Sequence, residues 1–309
     1  MLPDQNPRIP EGINASQDNP LVEFAWLTAA VLLGIVLLVF VLSFTVRWFA
    51  PYVPFHWEQT ISTRFESSIQ SESAAGDASC DEQRVAQATL ENLARALVNS
   101  SLGVAIDGRH RVQSVPVDAY TFRLMPGLSP NAFATLGGHV MVTDALLQEV
   151  SSENGLSMVL AHEIAHIQLR HPLEALSRGV LLQLVMGLLL GGGDSAAVGG
   201  VVNSGSLLAL LSFSRDMELA ADARALQILR QHYGHVGGAD EFFQSMHSAQ
   251  DAALWVEFAS THPDSERRLA LIAQAMSEDV QRKALQPLPT GLRPGAQQCK
   301  RGVHDAPGS

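Results

Sequence analysis

Residues 156–171 read Leu-Ser-Met-Val-Leu-Ala-His-Glu-Ile-Ala-His-Ile-Gln-Leu-Arg-His, an apolar stretch with two histidines placed four residues apart. Its apolar residues recur at helical spacing, which predicts a helix over residues 155–170. Residues four apart lie on one face of a helix, so the imidazoles of His162 and His166 can bind the same metal ion. Glu163 then lies beside the open side of that ion. The stretch predicts one catalytic Zn²⁺ per chain.

A catalytic zinc site also needs a third protein ligand and a free position for water. No His-x-x-Gly-x-x-His continuation follows the motif, and a glutamate from a second helix is the other common solution. Residues 214–222 offer Glu218 among apolar neighbours, where a buried carboxylate requires a cation. Asp222, one turn later, is expected to hydrogen-bond a ligand. Glu163 is the expected general base that takes a proton from the water.

Residues 24–46 contain no Asp, Glu, Lys, Arg or His and predict a membrane anchor. As a helix they would be about 34 Å long, enough to cross a hydrocarbon core of about 30 Å. A single uncleaved span in the lipid bilayer is expected at residues 21–46, with a buried helix or a cleaved signal peptide as the alternatives. Two apolar stretches within residues 180–211 are too short to span a bilayer and predict a helical hairpin that either packs on the domain or dips into the membrane surface.

The composition of the chain excludes several classes of protein. Of its 309 residues, 47% are hydrophobic and 17% are charged, which is unlike a disordered or collagenous chain. The formal net charge is −11 and no basic stripe is visible, so nucleic acid is not an expected partner. Cys80 and Cys299 lie on opposite flanks of the main domain and are expected either to pair in an oxidising compartment or to remain separate thiols.

The chain divides into a folded domain and several accessory segments. β-Branched and aromatic residues over 112–124 and 139–142 predict strands, and helical periodicity dominates elsewhere. The predicted fold class is α+β, mainly helical, with a small β-sheet. The expected segments are a disordered tail at 1–20, the transmembrane anchor at 21–46, a juxtamembrane segment and linker at 47–83, the domain at 84–285 and a flexible C-terminal tail at 286–309.

Several motifs in a fixed order resemble the membrane-associated gluzincins, a family of zinc metallopeptidases that includes HtpX, the CAAX prenyl proteases, BepA-like proteases and Oma-type proteases. The resemblance covers roughly residues 84–285. It rests on Asn131-Ala132-Phe133-Ala134 with Gly137-Gly138, on His162-Glu163-Ile164-Ala165-His166, on Ser214-Arg215 with Glu218 and Asp222, and on Thr261-His262-Pro263 with Arg268. It implies a minigluzincin-type domain whose small sheet carries a substrate edge strand. A single apolar span favours the singly anchored branch of the family.

The resemblance also implies roles for particular residues. The expected metal ligands are His162, His166 and Glu218, the expected catalytic residues are Glu163 and His262, and the expected supporting residues are Asp222 and Arg268. A substrate polypeptide would add as an antiparallel β-strand beside residues 139–142, held by main-chain hydrogen bonds. The residues expected to bind it are Asn131, Ala132, Gly138, His139 and Val140.

His262 has alternative roles that the sequence leaves open. Pro263 biases it toward an extended backbone, which can direct the ring into a cleft. As a neutral imidazole it would occupy the open position of the metal and exclude water, whereas as a cation it would stabilise the developing oxyanion. A helix-capping or packing role is the third alternative. His171 is interpreted as a helix-end residue that complements the helix dipole.

The sequence therefore favours a zinc endopeptidase anchored in a bacterial inner membrane, with a periplasmic domain that removes damaged envelope proteins. The alternative is a chaperone or assembly factor that uses the peptide groove for binding, with its proteolysis latent. The intact set of His162, Glu163, His166 and Glu218 favours the enzyme. The oligomeric state and the physiological substrate remain open.

Overall fold

The computed structural model describes residues 19–49, 53–63, 81–103, 115–179, 212–248, 255–263, 266–279 and 284–293. Three sequence predictions fall outside these residues. They are the disordered tail up to residue 18, the helical hairpin within 180–211, and the pairing of Cys80 with Cys299. All three stay predictions.

The N-terminal helix α1 (Pro20–Phe49) contains the apolar run. It begins after Asn19, whose side-chain oxygen accepts a hydrogen bond from the Leu21 N–H group at 3.0 Å. Residues Pro20–Leu42 have a mean hydropathy of 2.8, and none of the window that qualifies as a span is buried. A core helix of a soluble protein would be mostly buried, so the predicted apolar helix near the N-terminus is confirmed as a candidate span.

Helices make up most of the described chain, and the predicted mainly helical α+β class is confirmed. Beyond α1, the structure contains α2 (Asp81–Leu102), α3 (Leu146–Glu149), α4 (Glu153–Gln168), α5 (Arg215–Tyr233), α6 (Glu241–Ser248), α7 (Val256–Thr261) and α8 (Glu266–Glu278). Residues 55–63 and 171–179 are also helical. Leu90 and Leu97, on one face of α2, are fully buried in the core formed with β1, α4 and α5. The amphipathic pattern of α2 therefore packs it onto the two helices that carry the candidate site.

The helices α4 and α5 pack more extensively against each other than any other pair of elements among the described residues. The Ser152 side chain caps α4 by accepting a hydrogen bond from the Gly155 N–H group at 3.0 Å. The Ser214 side chain caps α5 in the same way, and Gly234, in the left-handed conformation, ends that helix. These local signals set the bounds of both helices, and the helix predicted over 155–170 is observed two residues earlier.

The sheet has three strands, β1 (Thr121–Met125), β2 (Ala132–Ala134) and β3 (His139–Thr143), in the order β1-β3-β2. β3 is parallel to β1 and antiparallel to β2, so both of its edges are occupied. The expectation that residues 139–142 form the substrate edge strand is therefore wrong. Within the described part of the chain, β2 has a strand partner on one side only. The sequence pattern predicts strands within residues 112–124 and 139–142 but does not predict β2, and strand order depends on pairings that no local pattern contains.

Residues 53–63 lie within the region 47–83 that the sequence predicts to be a juxtamembrane segment and linker. Residues 55–63 are helical, and Phe55, Glu58 and Ser62 are buried against the domain. These three residues lie at spacings of three and four, so they form one face of the helix. The folded unit therefore includes a segment that the sequence assigned to the linker region 47–83.

Residues 284–293 also differ from expectation, because the tail predicted from residue 286 packs against the domain. Pro287 bridges to Ser152, and the Gln286 N–H group donates a hydrogen bond to Asn154 at 2.8 Å. Leu288 and Leu292 are buried, and the turn Thr290–Leu292 packs against α2. The predicted domain boundary after residue 285 is therefore too early, because these apolar side chains are buried by contacts with distant parts of the chain.

We expect Leu292→Ala to destabilise the domain by about 2–5 kcal/mol, because it removes a fully buried side chain and leaves a cavity. Leu285→Ala is the matched control, since Leu285 is 41% exposed and its loss should change stability by less than about 1 kcal/mol. Thermal or urea unfolding of the detergent-solubilised chain measures both. Equal, small effects of the two substitutions would show instead that residues beyond 285 form a tail.

Candidate active site

Four buried side chains converge between α4, α5 and the end of α7. They are His162, His166, Glu218 and His262, and one ligand atom from each lies within 4.8 Å of the others. Two histidines four residues apart on α4 face Glu218 on α5 because these helices pack together. His262 follows α7 with a non-helical backbone, as Pro263 predicts. The structure thus brings together the three predicted ligands and adds His262 to them.

The spacing of the ligand atoms fits a tetrahedral metal ion. The Nε2 atoms of His162 and His166 are 2.9 Å apart. The Glu218 carboxylate oxygens lie 3.3 Å from His162 Nε2 and 3.4 Å from His166 Nε2. Metal–ligand bonds of about 2.0–2.1 Å in tetrahedral geometry place neighbouring ligand atoms roughly 3.3 Å apart. Two imidazole nitrogens and one carboxylate form a donor set that suits Zn²⁺.

The polar groups around the ligands also call for a cation. Both carboxylate oxygens of Glu163 and the Nε2 atom of His262 are buried without a hydrogen-bond partner among the described residues. Glu163, Glu218 and Asp222 are all fully buried, and Arg268 is the nearby guanidinium. Buried carboxylates are stable only when cations or hydrogen bonds compensate them. The arrangement therefore fits a divalent ion at the ligand cluster.

The pKa values in the cluster show how strongly its charges interact. Burial lowers the pKa of His162, but the carboxylates of Asp222 and Glu218 outweigh this effect and raise it to about 10. Burial and the charge of His162 together hold the pKa of His166 well below its usual value. Burial alone would raise the pKa of Glu218, but His262 and the two α4 histidines hold it well below its usual range. Because a ligand nitrogen must be unprotonated, binding of a metal at His162 would have to displace its proton.

Glu163 is placed beside the ligand cluster, as expected for a general base. Its Oε1 atom lies 3.6 Å from His262 Nε2. Burial raises its pKa, although the electrostatic interactions with His262 and His162 oppose this shift. The Ala134 N–H group of β2 faces the carboxylate closely enough to lower its pKa, but the geometry falls short of a hydrogen bond. A carboxylate with a raised pKa can both accept and return a proton near neutral pH.

Asp222 and Arg268, which the sequence predicts as supporting residues, both contact the candidate ligands. Asp222 Oδ1 lies 2.8 Å from His162 Nδ1, so the other ring nitrogen of His162 faces the cluster. Arg268 donates two hydrogen bonds to Asp222, at 2.6 and 3.0 Å, and its Nη1 atom lies 2.7 Å from Glu218 Oε2. Burial would raise the pKa of Asp222, but His162 and Arg268 lower it below its usual value. Arg268 thus orients two acidic groups at once.

The ring of His262 lies between the expected base and the expected third ligand. Its Nδ1 atom is 3.2 Å from Glu218 Oε1, and its Nε2 atom faces Glu163. Phe258 stacks on this ring, with 4.8 Å between ring centroids. Packing alone does not require both ring nitrogens to face carboxylates, so the contacts favour a functional role.

Two site residues escaped the sequence interpretation. His171 lies 2.8 Å from His166 through their Nδ1 atoms, so it contacts a ligand and does more than complement a helix dipole. Phe213 stacks on the ring of His166, with 3.9 Å between the two ring centroids. The spacing of five residues between His166 and His171 extends past the end of α4, where helical periodicity predicts nothing.

The residues expected to bind substrate divide into two groups. Asn131 and Ala132 lie at β2, whose free side faces away from β3. The other group does not lie at β2. It consists of Gly138, in the turn before β3, and of His139 and Val140, in β3 itself. His139 is occupied within the fold, since its ring contacts Thr121 Oγ1 at 2.6 Å and Ser62 Oγ at 3.3 Å.

The alternation of an antiparallel pair identifies the backbone groups at the free edge of β2. The Thr143 N–H group donates to the Asn131 carbonyl at 2.9 Å, and the Thr135 N–H group donates to the His139 carbonyl at 2.8 Å. Odd-numbered residues of this segment therefore pair with β3. The N–H and C=O groups of Ala132 and Ala134 point to the other side. Ala134 is the residue next to Glu163, so this edge leads directly to the candidate base.

Comparison with known proteins places this geometry in a family. Residues 99–276 match peptidase family M48. Mitochondrial metalloendopeptidase OMA1 of Schizosaccharomyces pombe is 33% identical over 153 residues, which cover 48% of this chain and 44% of the relative. Beta-barrel assembly-enhancing protease of Escherichia coli (strain K12) is 27% identical over 182 residues, which cover 55% of this chain and 37% of the relative.

This chain thus spans less than half the length of these relatives. The family match nevertheless covers more than half of the chain and contains the His162, His166, Glu218 and His262 cluster. The chain belongs to peptidase family M48.

Proposed function

We propose that this chain is a membrane-anchored zinc endopeptidase. The observation that carries the proposal is the placement of His162, His166 and Glu218 at metal-binding distances, with Glu163 beside them and unpaired with any hydrogen-bond donor among the described residues. A binding protein that only held peptides would not need a buried base next to a ligand cluster. The site therefore favours the enzyme over the chaperone or assembly factor.

His162, His166 and Glu218 would hold one Zn²⁺ through Nε2, Nε2 and a carboxylate oxygen. Bound zinc would supply a Lewis acid that polarises the peptide carbonyl and makes water more acidic. Glu163 would take a proton from the attacking water and return it to the leaving amine as the carbon–nitrogen bond breaks. Asp222 and Arg268 keep the ligands oriented throughout, because they contact His162 and Glu218 directly.

A substrate polypeptide would bind in extended form along β2. Ala132 and Ala134 would exchange main-chain hydrogen bonds with it, which extends the sheet by one antiparallel strand. Main-chain recognition does not depend on side-chain identity, so this mode suits varied polypeptides. The edge strand that binds substrate would then be residues 132–134 and not residues 139–142. The support is that β3 is already paired on both sides.

His262 would act as a self-ligand that keeps the enzyme closed at rest. Its ring is already within the ligand group, and with Glu163 on its other side it lies where a water molecule would have to enter. A protonated His262 that stabilises the oxyanion is the competing role, and the two roles predict opposite effects of its removal.

The helix α1 would cross a bacterial inner membrane and hold the domain on the periplasmic side, where it would remove damaged envelope proteins. The support is the exposed apolar helix and the similarity to a beta-barrel assembly-enhancing protease and a mitochondrial metalloendopeptidase. Pairing of Cys80 with Cys299 belongs to the same proposal, since disulfides persist in oxidising compartments.

Glu163→Gln should abolish cleavage of casein while the chain keeps one zinc, because the substitution removes the base and no ligand. Metal content and hydrolysis are measured on the same purified sample. Glu91→Gln, on a part-exposed surface of α2, is the control and should retain both properties. Wild-type turnover by Glu163→Gln would disprove this mechanism, and inactivity of the wild-type chain with zinc bound would favour the chaperone.

Glu218→Ala should lose zinc on dialysis, since two imidazoles without the carboxylate form a weak site. Asp216→Ala changes an exposed acidic residue in the same turn of α5 and should keep the metal. Zinc stoichiometry after dialysis measures the difference. If Glu218→Ala retains one zinc per chain, another residue is the third ligand.

His262→Ala should raise basal proteolysis at equal zinc occupancy if His262 is a self-ligand. Loss of an oxyanion donor would instead lower kcat by about 10²- to 10³-fold. His247→Ala, an exposed histidine on α6, is the control for the loss of an imidazole. Activity of His262→Ala equal to that of the wild type would contradict both roles.

A further inference from the structure

Arg170 lies just beyond α4 in a conformation that requires support from its surroundings. Its φ of 64° lies in the left-handed region, where no other described residue except glycine is found. Its side chain is only 2% exposed, so a guanidinium charge is buried. Its pKa is lowered by burial, although the charge of Glu58 opposes this shift. Such strain and buried charge persist only where neighbouring groups compensate them.

The compensation comes from the juxtamembrane segment, residues 53–63. Glu58 Oε1 forms a buried ion pair with Arg170 Nη1 at 2.8 Å. Arg170 also donates a hydrogen bond to the Val53 carbonyl, and its guanidinium lies 5.3 Å from the centre of the Phe55 ring. The chain that follows the membrane helix is therefore attached to the end of the helix that carries the metal ligands.

The same segment contacts the turn that joins β2 to β3. The Gly137 N–H group faces the Glu58 carboxylate closely enough to lower its pKa, and Ser62 contacts His139 at 3.3 Å. Gly137 has a φ of 80°, and a side chain there would collide with Ser62. The turn and the juxtamembrane helix are thus fitted closely together, and the turn sets where β2 ends.

Arg170 is followed directly by His171, which contacts the ligand His166. When His166 binds a metal through Nε2, its ring proton lies on Nδ1 and is donated to His171 Nδ1 at 2.8 Å. Partners of this kind fix the orientation of a metal-binding imidazole. A chain of contacts therefore leads from Glu58 through Arg170 and His171 to His166.

We propose that Glu58 is a positioning residue of the catalytic site and that residues 53–63 are part of the catalytic unit. Through Arg170 it holds His171 against His166, and through Gly137 it holds β2 beside Glu163. The attachment of the domain to its membrane helix and the geometry of the metal site then depend on the same ion pair. This inference rests on the proposed function but concerns residues that lie outside the ligand set.

Glu58→Ala in the full-length, detergent-solubilised chain should weaken zinc binding by about 10-fold, as loss of an outer partner of a metal ligand does. Competition with a chelator measures the zinc Kd, and hydrogen exchange measures protection of the amides at residues 166–171. Gln59→Ala, at the exposed neighbouring position, is the matched control and should change neither quantity. Unchanged zinc affinity and unchanged exchange in Glu58→Ala would overturn the proposal.

A charge exchange separates positioning from simple stability. Glu58→Arg and Arg170→Glu should each weaken zinc binding, and the double variant should recover most of the affinity because the ion pair is restored with reversed sign. Recovery of thermal stability without recovery of zinc affinity would overturn the proposal.

Two further results bear on the proposal, failure of Glu58→Ala to fold and loss of peptide cleavage with zinc still bound. If Glu58→Ala does not fold, the zinc affinity of Glu58→Gln tests the proposal. This variant keeps the size of the side chain and its contact with Gly137 but removes the charge. Wild-type zinc affinity in Glu58→Gln would count against the proposal. Because zinc affinity and exchange are measured without substrate, a chain that binds zinc but cleaves no peptide would refute the proposed function alone.

Discussion

Three carboxylates, those of Glu163, Glu218 and Asp222, are buried in one small volume, and the balance of their charge governs the site. Arg268 contacts two of them, and the pKa of His162 is raised to about 10 by the same two. Burial of uncompensated carboxylates would be too costly for a folded domain. Arg268 compensates part of this charge, and the cluster of His162, His166, Glu218 and His262 can hold a cation at its centre.

The packing of α4 against α5 creates this concentration of charge. Ala161, Ala165, Ala221 and Ala225 are fully buried on these helices, and small side chains permit close approach of helix backbones. The approach brings Glu218 to within 3.4 Å of both ligand histidines. The energetic support comes from the apolar core, in which α2 packs against both α4 and α5. Hydrophobic burial thus keeps these polar groups closer together than they would lie in the absence of the surrounding core.

The ends of α4 connect the site to the rest of the chain. At its start, Glu241 accepts hydrogen bonds from the cap residue Ser152, and the segment 284–293 packs alongside. At its end, Arg170 binds the juxtamembrane helix, and His171 turns back onto His166. The sequence predicts a juxtamembrane segment and linker on one side and a flexible C-terminal tail on the other, but residues 53–63 and 284–293 both pack with the folded unit. The helix with the ligands is therefore held at its two ends by residues far away in the chain.

Features that depend on neighbours along the chain could be read from the amino-acid order. The four-residue spacing of His162 and His166, the caps Ser152 and Ser214, the apolar run of α1 and the mainly helical class follow from local periodicity and chemistry. The central place of β3, the contact of His171 with His166 and the ion pair of Glu58 with Arg170 join residues from different elements. Such contacts form only together with the core. The local sequence pattern is compatible with many alternative pairings, and hydrophobic burial and strand pairing determine which of them occurs.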